Sequence, residues 1–340
     1  MKDVILLFGG LGSERLVSVA SAQNLARFMP EAPCWFWAKS GAVHVLDTSE
    51  VLAHARPFEV ELEPTSPPRW ESLEKALDSP EARANVFFSV LHGGAGEDGT
   101  VQGFLEERKL AFVGSSAQAS RNAMNKWRAK ALVKQQGIRV AEGEIVIEPA
   151  RIEEKLRGLL ERHRRLVVKP VSEGSTVGVV FVAAPEDVAR AAEAVKKSFP
   201  GGYLVEAFVS GCELTVGVLD DERGIRPLPC SEVRLEAGRQ FDYEGKYLGR
   251  GTTEITPAEV PESVSKEAQD VAVRAHEILG CSGYTRTDVI VDERGPVFLE
   301  LNTLPGLSKA SFYPQQLEAA GISMESFLEG QLARARRRSA

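Results

Sequence analysis

YTRTDVIVDERGPVFLELN, residues 284–302, is the stretch from which the chain is best read. Two apolar-rich runs flank Glu293-Arg294-Gly295, and their alternation predicts a β-hairpin with a three-residue loop and glycine in the left-handed position. Val289, Val291, Val297, Leu299 and Leu301 then share one apolar face. With Asp288 opposite Glu300, the other face carries Asp288, Glu300 and Asn302, three oxygen donors on adjacent strands. Hard oxygens of this kind suit Mg²⁺, which takes carboxylates together with substrate phosphates. A polar strand face is usually no more than a solvated surface. Arg286 on the same face argues for more, because a fixed cation beside an acidic cluster reads as a site that handles anions.

Upstream, VVKPVSEGSTVGV (167–179) ends an apolar strand on Lys169 and continues into a loop with Gly174, Ser175, Thr176 and Gly178. Glycines let backbone amides approach a phosphate, and hydroxyls add donors. Alone, the same letters describe an ordinary hairpin turn. Lys126, in MNKWRAK (124–130), lies on a helical pattern where a lysine is most often a surface residue. It gains weight as the first of three spaced lysines, Lys126, Lys169 and Lys246, that could neutralise a triphosphate as point charges. No GxxxxGK[ST] run occurs, which excludes a P-loop as the nucleotide site.

Nearer the N-terminus, DVILLF (3–8) runs into Gly9-Gly10 and a helix-compatible stretch at 13–29. VFFSVL (86–91) repeats the arrangement before HGGAGEDGT (92–100). Strand, glycine turn and helix predict an open, doubly wound α/β domain with its sites at the carboxyl ends of the strands. The second turn contains a formal GxGxxG at 94–99. However, Glu97 and Asp98 would crowd a pyrophosphate, and no second strand ends in an acid at the required distance. The reading is a turn without dinucleotide, with His92 beside a polar substrate.

A long helical pattern at 116–136 stops at Gly137. Beyond it, strand-like runs at 144–148, 166–169, 179–182, 203–209 and 213–219, with a helical stretch at 186–198, predict an α+β region. Residues 237–253 (AGRQFDYEGKYLGRGTT) read as a long functional loop. A helix at 262–279 precedes the hairpin, and a helical region closes the chain.

The 340 residues carry 41 Lys+Arg against 48 Asp+Glu, a net charge of −7, with 43% hydrophobic and 26% charged residues. That is globular composition and excludes disordered and disulfide-scaffold classes. An acidic chain is a poor non-specific partner for nucleic acid. The four cysteines, Cys34, Cys212, Cys230 and Cys281, form no CxxC pair, which fits a reducing compartment. The first apolar run is too short for a signal or a membrane span, so a cytoplasmic, membrane-free protein is expected. The arginines at 334 and 336–338 read as a solvated helix end.

Taken together, these segments resemble the D-alanine–D-alanine ligase family of the ATP-grasp superfamily. The motifs come in that family's order: GG-x-x-SER-x-VS, HG-x-x-GEDG-x-x-QG, NK-x-x-x-K, VKP-x-x-EGS-x-VG, E-x-x-x-x-G-x-E-x-TV, DYE-x-KY, G-x-x-R-x-D and E-x-NT-x-PG, spanning nearly the whole chain. The resemblance implies a doubly wound pre-ATP-grasp domain (1–115) followed by a two-part ATP-grasp fold, a central part at 116–210 and a C-terminal part at 211–340. It implies ATP-dependent joining of two D-alanines through an acyl phosphate, for peptidoglycan. By the same resemblance, Asp288, Glu300 and Asn302 bind two Mg²⁺ ions, with Mn²⁺ a possible substitute. Lys126, Lys169 and Lys246 meet phosphates and nucleotide, Glu206 and Glu213 meet adenine and ribose, and Phe208 and Val209 line the adenine slot. Glu14 holds the ammonium of the first D-alanine. Arg286, aided by the Gly306 amide, binds its carboxylate and the oxyanion, and Ser311 contacts the second D-alanine. Tyr247, Ser175 and Glu14 form a trio that closes the 237–253 loop, and Tyr247 favours D-alanine as second substrate. The family also suggests a homodimer. The other readings are an ATP-grasp ligase with a different amino or hydroxy acid, and a non-catalytic nucleotide-binding sensor.

Overall fold

The computed structural model describes residues 3–174, 178–198, 201–235 and 252–339. Ser175, Lys246 and Tyr247 lie outside them, as does the 237–253 loop up to residue 251.

The first unit is built on β1 (Val4–Gly9), β2 (Cys34–Trp37), β3 (Val43–Leu46) and β4 (Val86–Ser89), in the order β3-β2-β1-β4. β1 pairs in parallel with β2 and β4, and β3 adds an antiparallel edge. Helices α1 (Arg15–Ala26), α2 (Thr48–Ala53), α3 (Leu73–Leu77), α4 (Pro80–Arg83) and α5 (Thr100–Glu107) complete it. Beyond α5 the chain touches this sheet again through a single parallel bridge, Phe87 to Phe112. Gly9 has no room for a side chain: a Cβ would stand 2.5 Å from the Trp37 carbonyl oxygen, at a φ of +94°. That packing fixes the first glycine turn at the carboxyl end of β1.

Two helices follow, α6 (Ala117–Met124) and α7 (Lys126–Gln135). The expected single helix is broken between them, because Asn125 leaves helical geometry and its side chain accepts from the Arg128 N–H. The next sheet, β5-β8-β6-β7, comprises β5 (Gly143–Val146), β6 (Leu166–Pro170), β7 (Val180–Val182) and β8 (Tyr203–Ala207). It packs on α8 (Ile152–His163) and α9 (Asp187–Lys197) around a core of its own.

The largest sheet contains β9 (Cys212–Asp221), β10 (Gly224–Pro227), β11 (Ser231–Leu235), β12 (Thr252–Ile255), β13 (Tyr284–Asp292) and β14 (Gly295–Asn302). Helices α10 (Glu262–Ile278), α11 (Phe312–Ala319) and α12 (Met324–Ser339) accompany it. α6 and α7 supply Ala123, Ala129 and Val133 to this sheet's core and not to that of the smaller sheet. A further core runs from β1, α1 and β4 straight into the C-terminal region, joining Phe8, Leu25 and Phe88 to Tyr284, Tyr313, Phe327 and Leu332. First and last units are thus one packed body. The arginine tail is not simply solvated, contrary to its sequence reading. Arg334 pairs with Asp220 at 2.5 Å, Arg337 pairs with Glu222, and Arg338 donates to the Gly114 carbonyl at 2.8 Å. The backbone carbonyls and acids of neighbouring units give those guanidinium groups partners that no local sequence pattern reveals.

Candidate active site

The hairpin of β13 and β14 pairs Asp288 with Glu300 and Arg286 with Asn302, as its alternation implies. Its loop differs from expectation. Asp292 pairs with Gly295, leaving a two-residue turn, and a bulge beside Asp288 and Val289 restores the register. Gly295 is left-handed at φ +101°. The bulge also turns Phe298 into the core beside Val289 and Leu301, while Leu299 stays half-buried. On the polar face, Arg286 grips Asp288 with two hydrogen bonds, at 2.9 and 2.8 Å, and the Thr215 hydroxyl of β9 donates to the same carboxylate. Glu300 lies 3.1 Å from the Lys126 ammonium, which also donates to the Glu173 carbonyl at 2.7 Å. Lys126 is the first residue of α7, so the break at Asn125 aims it here.

Asp288, Glu300 and Asn302 therefore present hard oxygens to a place where two side-chain cations already stand against the carboxylates. That donor chemistry fits Mg²⁺. Among the described residues, no group of three or more His, Cys, Asp or Glu side chains could hold a metal. The set here is instead two acids and an amide.

Across from the hairpin, Glu206 of β8 is 3% exposed and clamped by two ammonium groups, Lys169 of β6 at 2.8 Å and Lys130 of α7 at 2.5 Å. Burial opposes ionisation of Glu206, yet the two lysines outweigh it and hold its pKa below the ordinary range. Lys169 is raised, because Glu206, Glu300 and Glu213 together overcome its burial. Lys130 is pushed down to about 8 by burial and by the neighbouring Lys169 charge. Glu213 stands on β9 opposite Ile290. Phe208 and Val209 lie in the link between β8 and β9, both half-buried. The Phe208 ring is covered by the Arg165 guanidinium at 3.9 Å and met edge-on by Phe181.

The third wall is made by glycine turns. Glu14 precedes α1, where the helix's positive end favours an acid. Its carboxylate lies against two backbones, since a Cβ at Gly93 would approach it to 2.5 Å and one at Gly174 would collide with it. Glu97 turns back to accept from the Gly93 N–H at 2.7 Å, which occupies the amide that a pyrophosphate would need. Burial, reinforced by the Glu14 charge, pushes the Glu97 carboxyl up to about 7. Burial and the Arg286 charge push His92 down to about 4, so it is neutral. His92 Nε2 lies 3.1 Å from the Ser21 hydroxyl oxygen, and His92 and Glu97 both meet the backbone of Leu304. Ser21 and Asn24 of α1 fix Leu307 through its N–H and carbonyl, at 3.2 and 2.8 Å. Gly306 sits between these anchors, with the Ser311 hydroxyl so close that a Cβ would stand 2.6 Å from it. Ser311 and Ser308 share a hydrogen bond of 2.8 Å.

The structure gathers Glu14, Arg286, Gly306, Ser311, Lys126, Lys169, Glu206, Asp288, Glu300 and Asn302 on these three walls. Sequence reasoning missed Lys130 and Thr215 as contributors, and it used Glu97 only as an argument against phosphate. The signal for Lys130 was its i+4 spacing from Lys126, which puts both on one helix face.

A family model described as D-ala D-ala ligase N-terminus matches residues 3–115, and one described as D-ala D-ala ligase C-terminus matches 132–332. The chain belongs to the D-alanine–D-alanine ligase family. A D-alanine–D-alanine ligase of Leptospira biflexa is 34% identical over 345 residues, 95% of each chain. Among solved structures, the VanG D-Ala:D-Ser ligase of Enterococcus faecalis is 28% identical, with a TM-score of 0.82 over 98% of both chains. The D-alanine–D-alanine ligase of Bacillus anthracis in complex with ATP is 25% identical, with a TM-score of 0.72 over 99% of this chain and 97% of that one. The fold is accordingly that of the family, an α/β domain followed by an ATP-grasp pair, and the chain is an ATP-dependent ligase.

Proposed function

We propose that this chain joins two D-alanine molecules at the expense of ATP, supplying the dipeptide for peptidoglycan. The γ-phosphoryl group passes to the carboxylate of the first D-alanine, the amine of the second attacks the carbonyl carbon, and inorganic phosphate leaves. One observation carries the reading: the Glu14 carboxylate is pressed between the Gly93 and Gly174 backbones, uniting the motifs of three distant loops beside the Arg286 hairpin.

In this reading Glu14 pairs with the ammonium of the first D-alanine, since a buried ammonium needs a counter-charge. Arg286 binds its carboxylate and then the oxyanion, with the Gly306 amide as second donor. Ser311 meets the carboxylate of the second D-alanine. Lys126, Lys169 and Lys246 neutralise the phosphates. Glu206 faces adenine between Phe208 and Val209, and Glu213 faces ribose. Asp288, Glu300 and Asn302 would hold the two Mg²⁺ ions, with Mn²⁺ a substitute, and those ions supply charge neutralisation for the transferring phosphoryl group. Tyr247, Ser175 and Glu14 close the 237–253 loop over the reactants and exclude water from the acyl phosphate. Along the chain we divide the protein at 1–115, 116–210 and 211–340, with α6 and α7 of the middle stretch packed on the large sheet, and we place it in the cytoplasm as a homodimer. Neither nucleic acid nor membrane is a partner, and no helix among the described residues is long and apolar enough to cross a membrane.

The test is product identification by mass spectrometry after incubation with ATP, Mg²⁺ and D-alanine, alongside D-serine, D-lactate and L-alanine. D-alanyl-D-alanine is the expected main product. Phosphate release with L-alanine and none with D-alanine would sink the reading.

A further inference from the structure

Glu206 has two cationic partners, and the two are not equivalent. Lys169 is on β6, next to β8 in the same sheet, 12% exposed, and within the field of Glu300 and Glu213 as well. Lys130 is 4% exposed and rises from α7, whose Ala129 and Val133 belong to the core of the large sheet. Its ion pair with Glu206 therefore ties two separately packed units together. If Lys169 gives its charge to phosphate, as proposed above, Glu206 keeps a counter-charge only through Lys130. A buried carboxylate without one takes up a proton.

The protonation state matters because a carboxylate only accepts hydrogen bonds, whereas a carboxylic acid also donates. An acceptor facing position 6 of a purine matches an amino group and repels an oxo group. We propose that Lys130 is a positioning residue for nucleotide selection: it keeps Glu206 an ionised acceptor and thereby makes the site choose a 6-aminopurine over a 6-oxopurine. This rests on the reading of Glu206 as the adenine contact, and the experiment separates the two.

The ratio of kcat/KM with ATP to that with ITP is measured for the wild type and for Lys130→Met, Lys130→Gln, Lys130→Arg and Glu206→Gln, with folding checked by thermal melting. Lys130→Met and Lys130→Gln should lower the ATP preference by about tenfold or more, through KM for ATP with kcat changing less than about threefold. Lys130→Arg should restore it, because a guanidinium keeps the charge. A lysine that merely filled space would weaken ATP and ITP alike and leave the ratio untouched. The inference is overturned if Lys130→Met and Lys130→Gln keep the wild-type ratio while Glu206→Gln collapses it. If Glu206→Gln also keeps the ratio, it is the placement of adenine at Glu206 that has failed, and the role of Lys130 falls with it.

Discussion

Arg286 is held by Asp288 through both of its carboxylate oxygens, so one guanidinium would link the proposed metal face to the proposed substrate carboxylate. Replacing it with alanine should lower turnover by about 10³-fold, a loss of the size seen when an oxyanion donor is removed. ATP affinity, read by calorimetry, should change less than about threefold. Unchanged turnover would refute the role. Glu97 gives a pH test. Its carboxyl lies near about 7 against 4.5 in the free state, so between those values the folded chain holds more protons than the unfolded one, and stability falls as pH rises. His92 and His276, both pushed down to about 4 by burial, act oppositely, adding stability as pH rises toward 6.5. Glu97→Gln removes only the first effect. Its unfolding free energy should climb more steeply from pH 4.5 to 6.5 and exceed that of the wild type by roughly 3 kcal/mol at pH 7. A parallel pair of denaturation curves would contradict this. At this scale the legible residues were those whose charge sits in a local pattern, such as Asp288 and Glu300. The Lys130–Glu206 pair and the contacts of His92 and Glu97 with the Leu304 backbone were not, because their partners are far along the chain.

Elements were legible wherever hydrophobic periodicity was strong, and the hairpin shows where that stops. A three-residue loop, or a two-residue loop followed by one bulged residue, gives the same Asp288–Glu300 pairing. Alternation put Leu299 on the apolar face, and because Phe298 beside it is equally apolar the letters carry no sign of the slip. The bulge assigns the core to Phe298. Phe298→Ala should therefore cost about 3–5 kcal/mol in urea unfolding and Leu299→Ala about 1 or less; the reverse order would place the bulge elsewhere. The helix at 116–136 was missed as two because a good N-cap inside a helical pattern looks like any polar residue. Asn125→Ala should remove the cap on α7 and cost about 1 kcal/mol, measured the same way. The strands β2 and β3 escaped notice: four residues carry little period, and unlike β4, whose apolar run continues to residue 91 and a glycine turn, they have no such signal beside them.

For the whole molecule, length predicted about two domains, and the motifs raised that to three units. What neither could supply is how the units share their interiors. Within the last unit, Asp220 of β9 ties the helix α12 to the large sheet. It accepts from the Gly283 N–H at 3.3 Å and pairs with Arg334 of α12, which also reaches the Ser282 hydroxyl. Asp220→Asn should cost roughly 2 kcal/mol in thermal or urea unfolding, since it leaves a half-buried guanidinium with a weaker partner. An unchanged midpoint would mean the pair is ornamental. The common interior of the first and last units bears on how the protein is made. Phe88 packs edge-on against Phe327 and stacks with Tyr284, so β4 has no finished interior until residues near position 330 exist. A ribosome delivers those residues long after β4. Residues 3–115 must then wait, with part of their apolar surface exposed, until α12 has been made, and it is that helix, far along the chain, that completes the interior of β4.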